Sequence, residues 1–250
     1  MGRVGYPARH RTHGWILRRL ASDLDILRGE QRLLVSGNSE RLLSVNIASA
    51  SRKLPHALSG KIATGKKLDA PVGTASFPVL AGEDGILERA IVLDKAYPQS
   101  KNIQIEQKVN KLIIVHGTTM LNVYHRPTWG SFHRGPAELL RCDVEYTDGK
   151  QESLSAYFGD DIGPMVGKWP TAALVDAGHH VERGGFCQQA LPIPAGNDHT
   201  FFAQEWTNPR PEVPIASIIL RLGNDAVENG QVIVSAISIF GDRCECDCKS

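Results

Sequence analysis

The sequence predicts an all-β protein, an antiparallel β-sandwich of jelly-roll type with a short N-terminal helical extension. From about residue 70 onward, short segments rich in β-branched and aromatic residues alternate with turn residues, and no long helical period intervenes. An Asp-Gly pair lies between two segments in which apolar and polar residues alternate. About nine such segments are present, and regularly spaced short strands are typical of a sandwich.

The composition indicates an ordinary folded domain. The chain has 250 residues, of which 42% are hydrophobic and 22% are charged, so it can bury a sizeable core. Its net charge of +1 gives no electrostatic reason to expect nucleic acid or an acidic membrane surface as a partner. No apolar run approaches the roughly 20 residues of a membrane helix, so no membrane span is expected.

Residues 1–69 differ from the remainder and are interpreted as an N-terminal extension. In the segment Trp15–Leu27, leucines recur at spacings of three, four and three, which predicts an amphipathic helix over residues 15–28. Residues 29–67 are polar and mixed, and we expect them to be irregular. The N-terminus lacks the hydrophobic stretch of a signal peptide, and the sequence predicts no particular cellular compartment. If the chain is a fragment of a secreted protein, the domain is extracytoplasmic.

The β-sandwich domain is assigned to residues 70–241 and a Cys-rich tail to residues 242–250. Asp148-Gly149 predicts a hairpin with a type I′ turn, because this turn needs a positive φ at both central positions. The apolar residues that alternate around it are Cys142, Val144, Tyr146, Leu154, Ala156 and Phe158. The other predicted strands are Arg89–Leu93, Ile103–Glu106, Leu112–His116, Met120–Tyr124, Ala172–Val175, Thr200–Trp206, Ile215–Leu222 and Gln231–Ile239.

The stretch EWTNPRPEVPIASI, residues 205–218, is interpreted as a stiff link between two strands. Pro209, Pro211 and Pro214 each fix their own φ and each lack a backbone donor, so no continuous helix or strand can run through them. We expect Trp206 to face the core and the prolines to stiffen the point where the chain crosses between sheets, since one buried Trp often anchors a β-sandwich.

Several segments together resemble a family of bacterial jelly-roll domains. They are GTASFPV (73–79), AIVLDKAYPQSKNIQIEQKVNKLIIVHGTTM (90–120), VEYTDGKQESLSAYFGDDIGPMVGKW (144–169) and EWTNPRPEVPIASI (205–218). In this order they are similar to the β-sandwich accessory domain found beside catalytic domains in glycoside hydrolases and other polysaccharide-acting proteins. The resemblance covers about residues 70–241 and implies a carbohydrate-associated module without catalytic residues. The 69 residues before it are too few for a catalytic barrel of about 250, so the chain is either a fragment or a module that works alone.

The segment YHRPTWGSFHRG, residues 124–135, is the candidate ligand-binding loop. Aromatic faces beside polar and cationic donors suit a sugar, whose C–H faces pack on rings while its hydroxyls take hydrogen bonds. The alternative is that these aromatics cap the end of the sandwich. The predicted ligand-binding residues are Tyr124, His125, Arg126, Trp129 and His133.

Other motifs give no cofactor or metal site. Calcium could use the adjacent Asp160 and Asp161, but nothing supplies the remaining oxygen ligands, so a solvated turn is favoured and no cofactor is predicted. GKIATGKK, residues 60–67, lacks the final Ser or Thr of a phosphate-binding loop. Cys142 is expected to be a buried free thiol. His179-His180 and Cys187 lack zinc spacing. The alternate cysteines Cys244, Cys246 and Cys248 could bind a soft metal or cross-link chains, but their spacing is not Cys-x-x-Cys and they lie in a terminal tail.

The sequence therefore favours a non-catalytic, carbohydrate-associated β-sandwich module that binds glycan through residues 124–135. The alternative is a structural or interaction module that docks to a catalytic domain or a partner subunit. A glycoside hydrolase in its own right is the third interpretation, and it needs two carboxyls facing each other about 5–10 Å apart.

Overall fold

A computed structural model describes residues 40–70, 75–120, 137–158, 161–166, 190–196, 198–226 and 230–242. Within these ranges the protein is all-β, and every pairing between its strands is antiparallel. In the same ranges, a search for a helix with the length and apolarity to span a membrane found none. The predicted helix at residues 15–28 lies outside the described residues.

Fourteen strands are described, and most are short. They are β1 (Glu40–Ser44), β2 (Arg52–Lys53), β3 (Lys67–Asp69), β4 (Ser76–Pro78), β5 (Leu80–Ala81), β6 (Leu87–Leu93), β7 (Ile103–Gln107), β8 (Lys111–Thr118), β9 (Glu138–Tyr146), β10 (Gln151–Tyr157), β11 (Leu191–Ala195), β12 (His199–Thr207), β13 (Ile215–Leu222) and β14 (Val232–Asp242).

The strands form one large sheet, one small sheet and a separate β3–β4 pair. The large sheet has eight strands in the order β11-β12-β8-β14-β6-β2, with β1 paired to β14 and β5 paired to β6. The small sheet has four strands in the order β10-β9-β13-β7. Because β6, β8 and β12 lie in the large sheet while β7, β9 and β13 lie in the small one, the chain crosses between sheets repeatedly.

Two hydrophobic clusters lie on opposite faces of the large sheet, and β8 contributes to both. Leu112 and Ile114 belong to the first cluster, whereas Ile113 and Val115 belong to the second. Successive side chains of a strand point to opposite faces, so a strand covered on both faces is apolar throughout. This burial accounts for the continuous run LIIV in β8, where strict alternation is absent.

The first cluster contains residues of both sheets. It unites inward-facing residues of β6, β8 and β14 with those of β7, β9, β10 and β13, including Val144, Ile218 and Ile237. Trp206 packs against this cluster, as predicted. The link after Trp206 runs from β12 in the large sheet to β13 in the small one, which confirms the predicted crossing between sheets.

The second cluster brings the segment before residue 70 onto the large sheet. Leu54, Leu58, Ile62 and Leu68 are buried in the same cluster as residues of β8 and β14. The predicted boundary at residue 70 therefore separates two stretches that share one cluster. The interpretation of residues 29–67 as irregular is wrong for the described part, since β1, β2 and the start of β3 lie there. β2 and β3 have only two and three residues, too few to show alternation in the sequence.

The β9–β10 hairpin is confirmed, but its turn type differs from the predicted one. Gly149 has a φ of +80°, whereas Asp148 does not have a positive φ, so the type I′ turn is excluded. The Gly149 amide donates to the Tyr146 carbonyl at 2.9 Å, and the Tyr146 amide donates to the Lys150 carbonyl at 2.9 Å. This is a three-residue loop, a type I turn completed by a left-handed glycine. Asp148 stabilises it by accepting from the Lys150 amide.

The predicted strands near β6, β7, β8, β12, β13 and β14 are confirmed with small shifts at their ends. Residues 121–124 and Ala172–Val175 lie outside the described residues, and Met120 is not in a strand. The sequence analysis missed β11, which contains Pro192 and Pro194. Proline occurs in edge strands, where its missing donor costs no ladder bond, and β11 lies at the edge of the large sheet.

Candidate functional site

The predicted ligand-binding loop cannot be placed from the described residues. Tyr124, His125, Arg126, Trp129 and His133 all lie outside them, and only the flanking residues are described. Met120 and Ala137 are both buried, and the Ala137 carbonyl accepts a hydrogen bond of 2.8 Å from the Phe158 amide. Other predicted features outside the described residues are Asp160, His179, His180, Cys187, Cys244, Cys246 and Cys248.

The described residues instead present a polar surface on the outer side of the small sheet. It consists of the side chains that alternate with those of the first cluster, and we call it the polar face. Ile219 is its one large aliphatic side chain. The members of the polar face are Gln104, Arg141, Asp143, Glu145, Gln151, Ser153, Ser155, Ser217, Ile219 and Arg221.

Strand register brings residues distant in sequence together on the polar face. Arg141 lies directly opposite Arg221, and Asp143 lies opposite Ile219. Glu145 is flanked by Ser217 on one side and Gln151 on the other. Because each strand contributes every second residue, this pairing produces rows of polar groups that run across the strands.

Asp143 holds the two arginines of the polar face in place. Its Oδ1 accepts from Nε of Arg141 at 2.8 Å, and its Oδ2 accepts from Nε of Arg221 at 2.6 Å. Arg221 also donates through Nη1 to Oε1 of Gln99. Like charges directly opposite each other destabilise a sheet, so the carboxylate between them offsets the repulsion. Each guanidinium keeps further N–H groups for a ligand.

Neighbouring arginines keep the Asp143 carboxyl group ionised. Partial burial raises the pKa of this carboxyl, but hydrogen bonds from Arg221 and Arg141 outweigh that effect and leave the pKa below its ordinary value. Asp143 is therefore an anion at neutral pH and acts only as an acceptor. Glu145 lies one row away, where its Oε2 is 3.4 Å from the Ser217 hydroxyl.

A small cavity of about 70 Å³ lies within the polar face. Its side-chain lining includes Asp143, Glu145, Gln151, Ile219 and Arg221. Sites that enclose a small molecule usually have about 300–1,000 Å³, whereas 70 Å³ corresponds to roughly two water molecules. The cavity can thus receive hydroxyl groups from a ligand that lies across the sheet, with carboxylates as acceptors and Arg221 and Gln151 as donors.

A second polar cluster joins the proline-containing link to the β9–β10 hairpin. Asn208 is 3% exposed, and its Oδ1 accepts from the Tyr146 hydroxyl at 2.5 Å. Its Nδ2 donates to the Val109 carbonyl at 2.7 Å. The Arg210 guanidinium stacks on the Tyr146 ring at 4.6 Å and pairs with both carboxylate oxygens of Asp148. Hydrogen bonds from Arg210 lower the pKa of Asp148 to about 2. These contacts fix the crossing between sheets, so the cluster is structural.

His116 is the one fully buried histidine of the described residues, and it lies on β8. Its Nε2 lies 3.3 Å from Oε1 of Gln204, while its Nδ1 has no hydrogen-bond partner in the structure. Gln204 in turn donates to the Ser155 carbonyl of the small sheet at 3.0 Å. Burial lowers the pKa of His116 to about 4, which the Gln204 contact only partly opposes, so the imidazole is neutral at pH 7.

Asp161 is buried rather than solvated, contrary to the expected solvated turn. Its Oδ2 accepts from the Tyr157 amide at 3.0 Å, so this carboxylate closes the chain after β10. Across the described residues, no three His, Cys, Asp or Glu side chains come close enough to hold a metal ion. Cys142 is a buried free thiol, as predicted, and burial raises its pKa.

Comparisons with family profiles, with curated proteins and with solved structures find no match for this chain. The resemblance to accessory domains of polysaccharide-acting proteins stays a prediction.

Sequence reasoning missed the polar face, although its outward residues are visible in the printed sequence. In RCDVEY the residues Arg141, Asp143 and Glu145 alternate with buried ones. In SIILR the residues Ser217, Ile219 and Arg221 alternate in the same way with two buried residues of the first cluster. The alternation shows which residues share a face of one strand. It does not show that β9 and β13 are neighbours, because their pairing spans about 80 residues of sequence.

Proposed function

We propose that the chain is a non-catalytic, carbohydrate-associated module with a jelly-roll β-sandwich fold, and that it binds glycan across the polar face. Two antiparallel sheets that share the first cluster support the sandwich. The cavity on the polar face, where two carboxylates, a guanidinium and a carboxamide converge, is the observation that carries the proposed binding.

The chemistry of the polar face matches a polyhydroxylated ligand. A sugar hydroxyl is both a donor and an acceptor, so it can donate to Asp143 or Glu145 while accepting from Arg221 or Gln151. Ile219 supplies an aliphatic contact for the C–H face of the ring. The small volume of the cavity favours a chain lying along the surface over an enclosed small substrate.

The predicted loop residues Tyr124, His125, Arg126, Trp129 and His133 remain part of the proposal as a second contact. Their aromatic rings would add the stacking surfaces that the polar face lacks. Since they lie outside the described residues, their part in binding is tested separately from that of the sheet.

Affinity electrophoresis of the full chain tests the proposal, with gels containing xylan, β-glucan, glucomannan or pectin. We expect at least one polysaccharide to retard the wild type. Gln151→Ala and Arg221→Ala should reduce the retardation because they remove donors from the cavity. Glu152→Ala is the matched control, since Glu152 is exposed on the same strand but does not line the cavity.

The loop contribution is measured with Trp129→Ala in the same gels. Loss of retardation in this variant alone would place binding on the loop and exclude the polar face. Unretarded migration of the wild type with every polysaccharide would overturn glycan binding and favour a module that docks to a catalytic domain or a partner subunit.

A further inference from the structure

Tyr97 is the most exposed large hydrophobic side chain of the described residues, at 58% of its full accessible surface. It lies in the turn that leaves β6, before the chain reaches β7 in the other sheet. A ring exposed to this degree is accessible to a ligand, and an aromatic face is a suitable stacking surface.

The ring of Tyr97 is held in a fixed position. The Arg52 guanidinium lies over one ring face, 4.1 Å from its centroid. Arg52 is itself held, because it donates through Nε to the Val92 carbonyl at 3.1 Å and through Nη2 to Asp94 at 2.5 Å. A cation over an aromatic ring attracts it, so this contact fixes the ring plane.

The backbone of the same turn is equally constrained. Oδ1 of Asp94 accepts from the amides of Ala96 at 3.0 Å and Tyr97 at 2.9 Å, and Gln231 donates to its Oδ2 at 3.4 Å. Partial burial raises the pKa of Asp94, but the Arg52 hydrogen bond and the Tyr97 amide outweigh it and keep the pKa below its ordinary value. The carboxylate thus stays charged and keeps the turn closed. Ordering this ring on binding therefore costs little entropy.

The turn is joined to the polar face. Gln99, two residues after Tyr97, forms a β-bridge with Arg221 and accepts a hydrogen bond from its guanidinium. The Leu222 amide donates to the Pro98 carbonyl at 2.7 Å, which fixes the turn against the end of β13. The turn that carries Tyr97 therefore borders the Arg221 end of the polar face.

We infer that the open face of Tyr97 is a stacking platform for a pyranose ring of the glycan that crosses the polar face. The inference rests on the proposed function and adds to it that the ligand is an oligosaccharide, with one sugar unit over the cavity and another on Tyr97. A pyranose ring offers an apolar C–H face for stacking and hydroxyls for the neighbouring polar groups. The net charge of +1 gives no comparable support for a nucleic-acid base.

Affinity electrophoresis of the full chain with xylan, β-glucan, glucomannan and pectin also tests this inference, with dissociation constants taken from the retardation at several polysaccharide concentrations. Tyr97→Ala should weaken binding about fivefold or more, whereas Tyr97→Phe should stay within about twofold because it keeps the ring. Arg52→Gln frees the ring plane and should weaken binding to an intermediate degree. Urea unfolding of each variant checks that the fold is retained.

The outcomes separate this inference from the proposed function. If the wild type is retarded and Gln151→Ala weakens binding while Tyr97→Ala does not, the platform is refuted and the proposed function stands. If Tyr97→Phe weakens polysaccharide binding as much as Tyr97→Ala does, the hydroxyl rather than the ring makes the contact, and stacking is refuted. If no polysaccharide retards the wild type, both proposals fall together.

Discussion

Replacement of Asn208 by Ala should destabilise the protein far more than its size suggests. The side chain bridges three segments, since Oδ1 accepts from the Tyr146 hydroxyl and the Arg210 amide while Nδ2 donates to the Val109 carbonyl. Tyr146 is 1% exposed and Val109 is fully buried, so water cannot readily replace the lost partner. Each buried polar group left without a partner costs about 1–3 kcal/mol. For the Tyr146 hydroxyl and the Val109 carbonyl together, the free energy of unfolding should fall by about 4 kcal/mol.

Tyr146→Phe is the matched control for this prediction. It removes the hydroxyl together with its bond, so no donor is orphaned, and Oδ1 of Asn208 still accepts from the Arg210 amide at 2.9 Å. We expect a loss of about 1 kcal/mol. In the Tyr146→Phe background, Asn208→Ala should cost less than in the wild type, because the orphaned hydroxyl is absent and the two residues are coupled.

Urea unfolding followed by far-UV circular dichroism measures these free energies by linear extrapolation for all four proteins. The reasoning is refuted if Asn208→Ala costs no more than Tyr146→Phe, or if the two substitutions are additive. Additivity would mean that the Tyr146 hydroxyl finds another partner, and that the link between β12 and β13 is held chiefly by its prolines.

Three further predictions concern buried groups. Burial lowers the pKa of His116 to about 4 in the folded protein, from 6.5 in the unfolded chain. The contribution of this imidazole to the free energy of unfolding is therefore constant above pH 6.5 and should fall by about 3 kcal/mol as the pH drops to 4, as measured by urea unfolding. His116→Gln should flatten this dependence, and an equal slope contradicts it. Gly223→Ala should abolish folding or cost several kcal/mol, because a Cβ there would lie 2.2 Å from the Glu138 carbonyl oxygen. In Gly149→Ala the space is open and only the positive φ costs about 1 kcal/mol. Iodoacetamide should spare Cys142 until denaturant is added, as read from its tryptic peptide, and modification of the folded protein would refute its burial.

The strands that sequence reasoning found share one property, which is an uninterrupted or alternating apolar pattern over at least four residues. β14 and β8 are predicted because they cross the middle of the large sheet and are buried on both faces. The short strands β2 and β3 give no such pattern, since they pair over only two and three residues. The burial of Leu54 and Ile62 depends on where the second cluster lies, and local composition does not contain that information.

The turn after β9 shows why a strong local pattern can still give the wrong geometry. Asp148-Gly149 correctly marks a hairpin, and one positive φ is present at Gly149. The turn type depends on loop length, which is set by the cross-strand pair that closes the loop. That pair is fixed in turn by the inward alternation of Val144 and Tyr146 into the first cluster. Core packing therefore selects a three-residue loop where the dipeptide alone favours two.

Dependence on strand register also explains why the sequence pointed to the loop and not to the polar face. A loop that contains Trp129 and two histidines attracts notice because its unusual residues are contiguous in sequence. The polar face is built from ordinary residues, and Arg221 meets Asp143 only because β13 pairs with β9 with an irregularity after Ile215. Without that irregularity, a shift of one residue would turn Arg221 inward and Leu220 outward. The proposed binding across the sheet and the burial of the β13 apolar residues thus depend on one register, so a variant that disturbs the irregularity should weaken both.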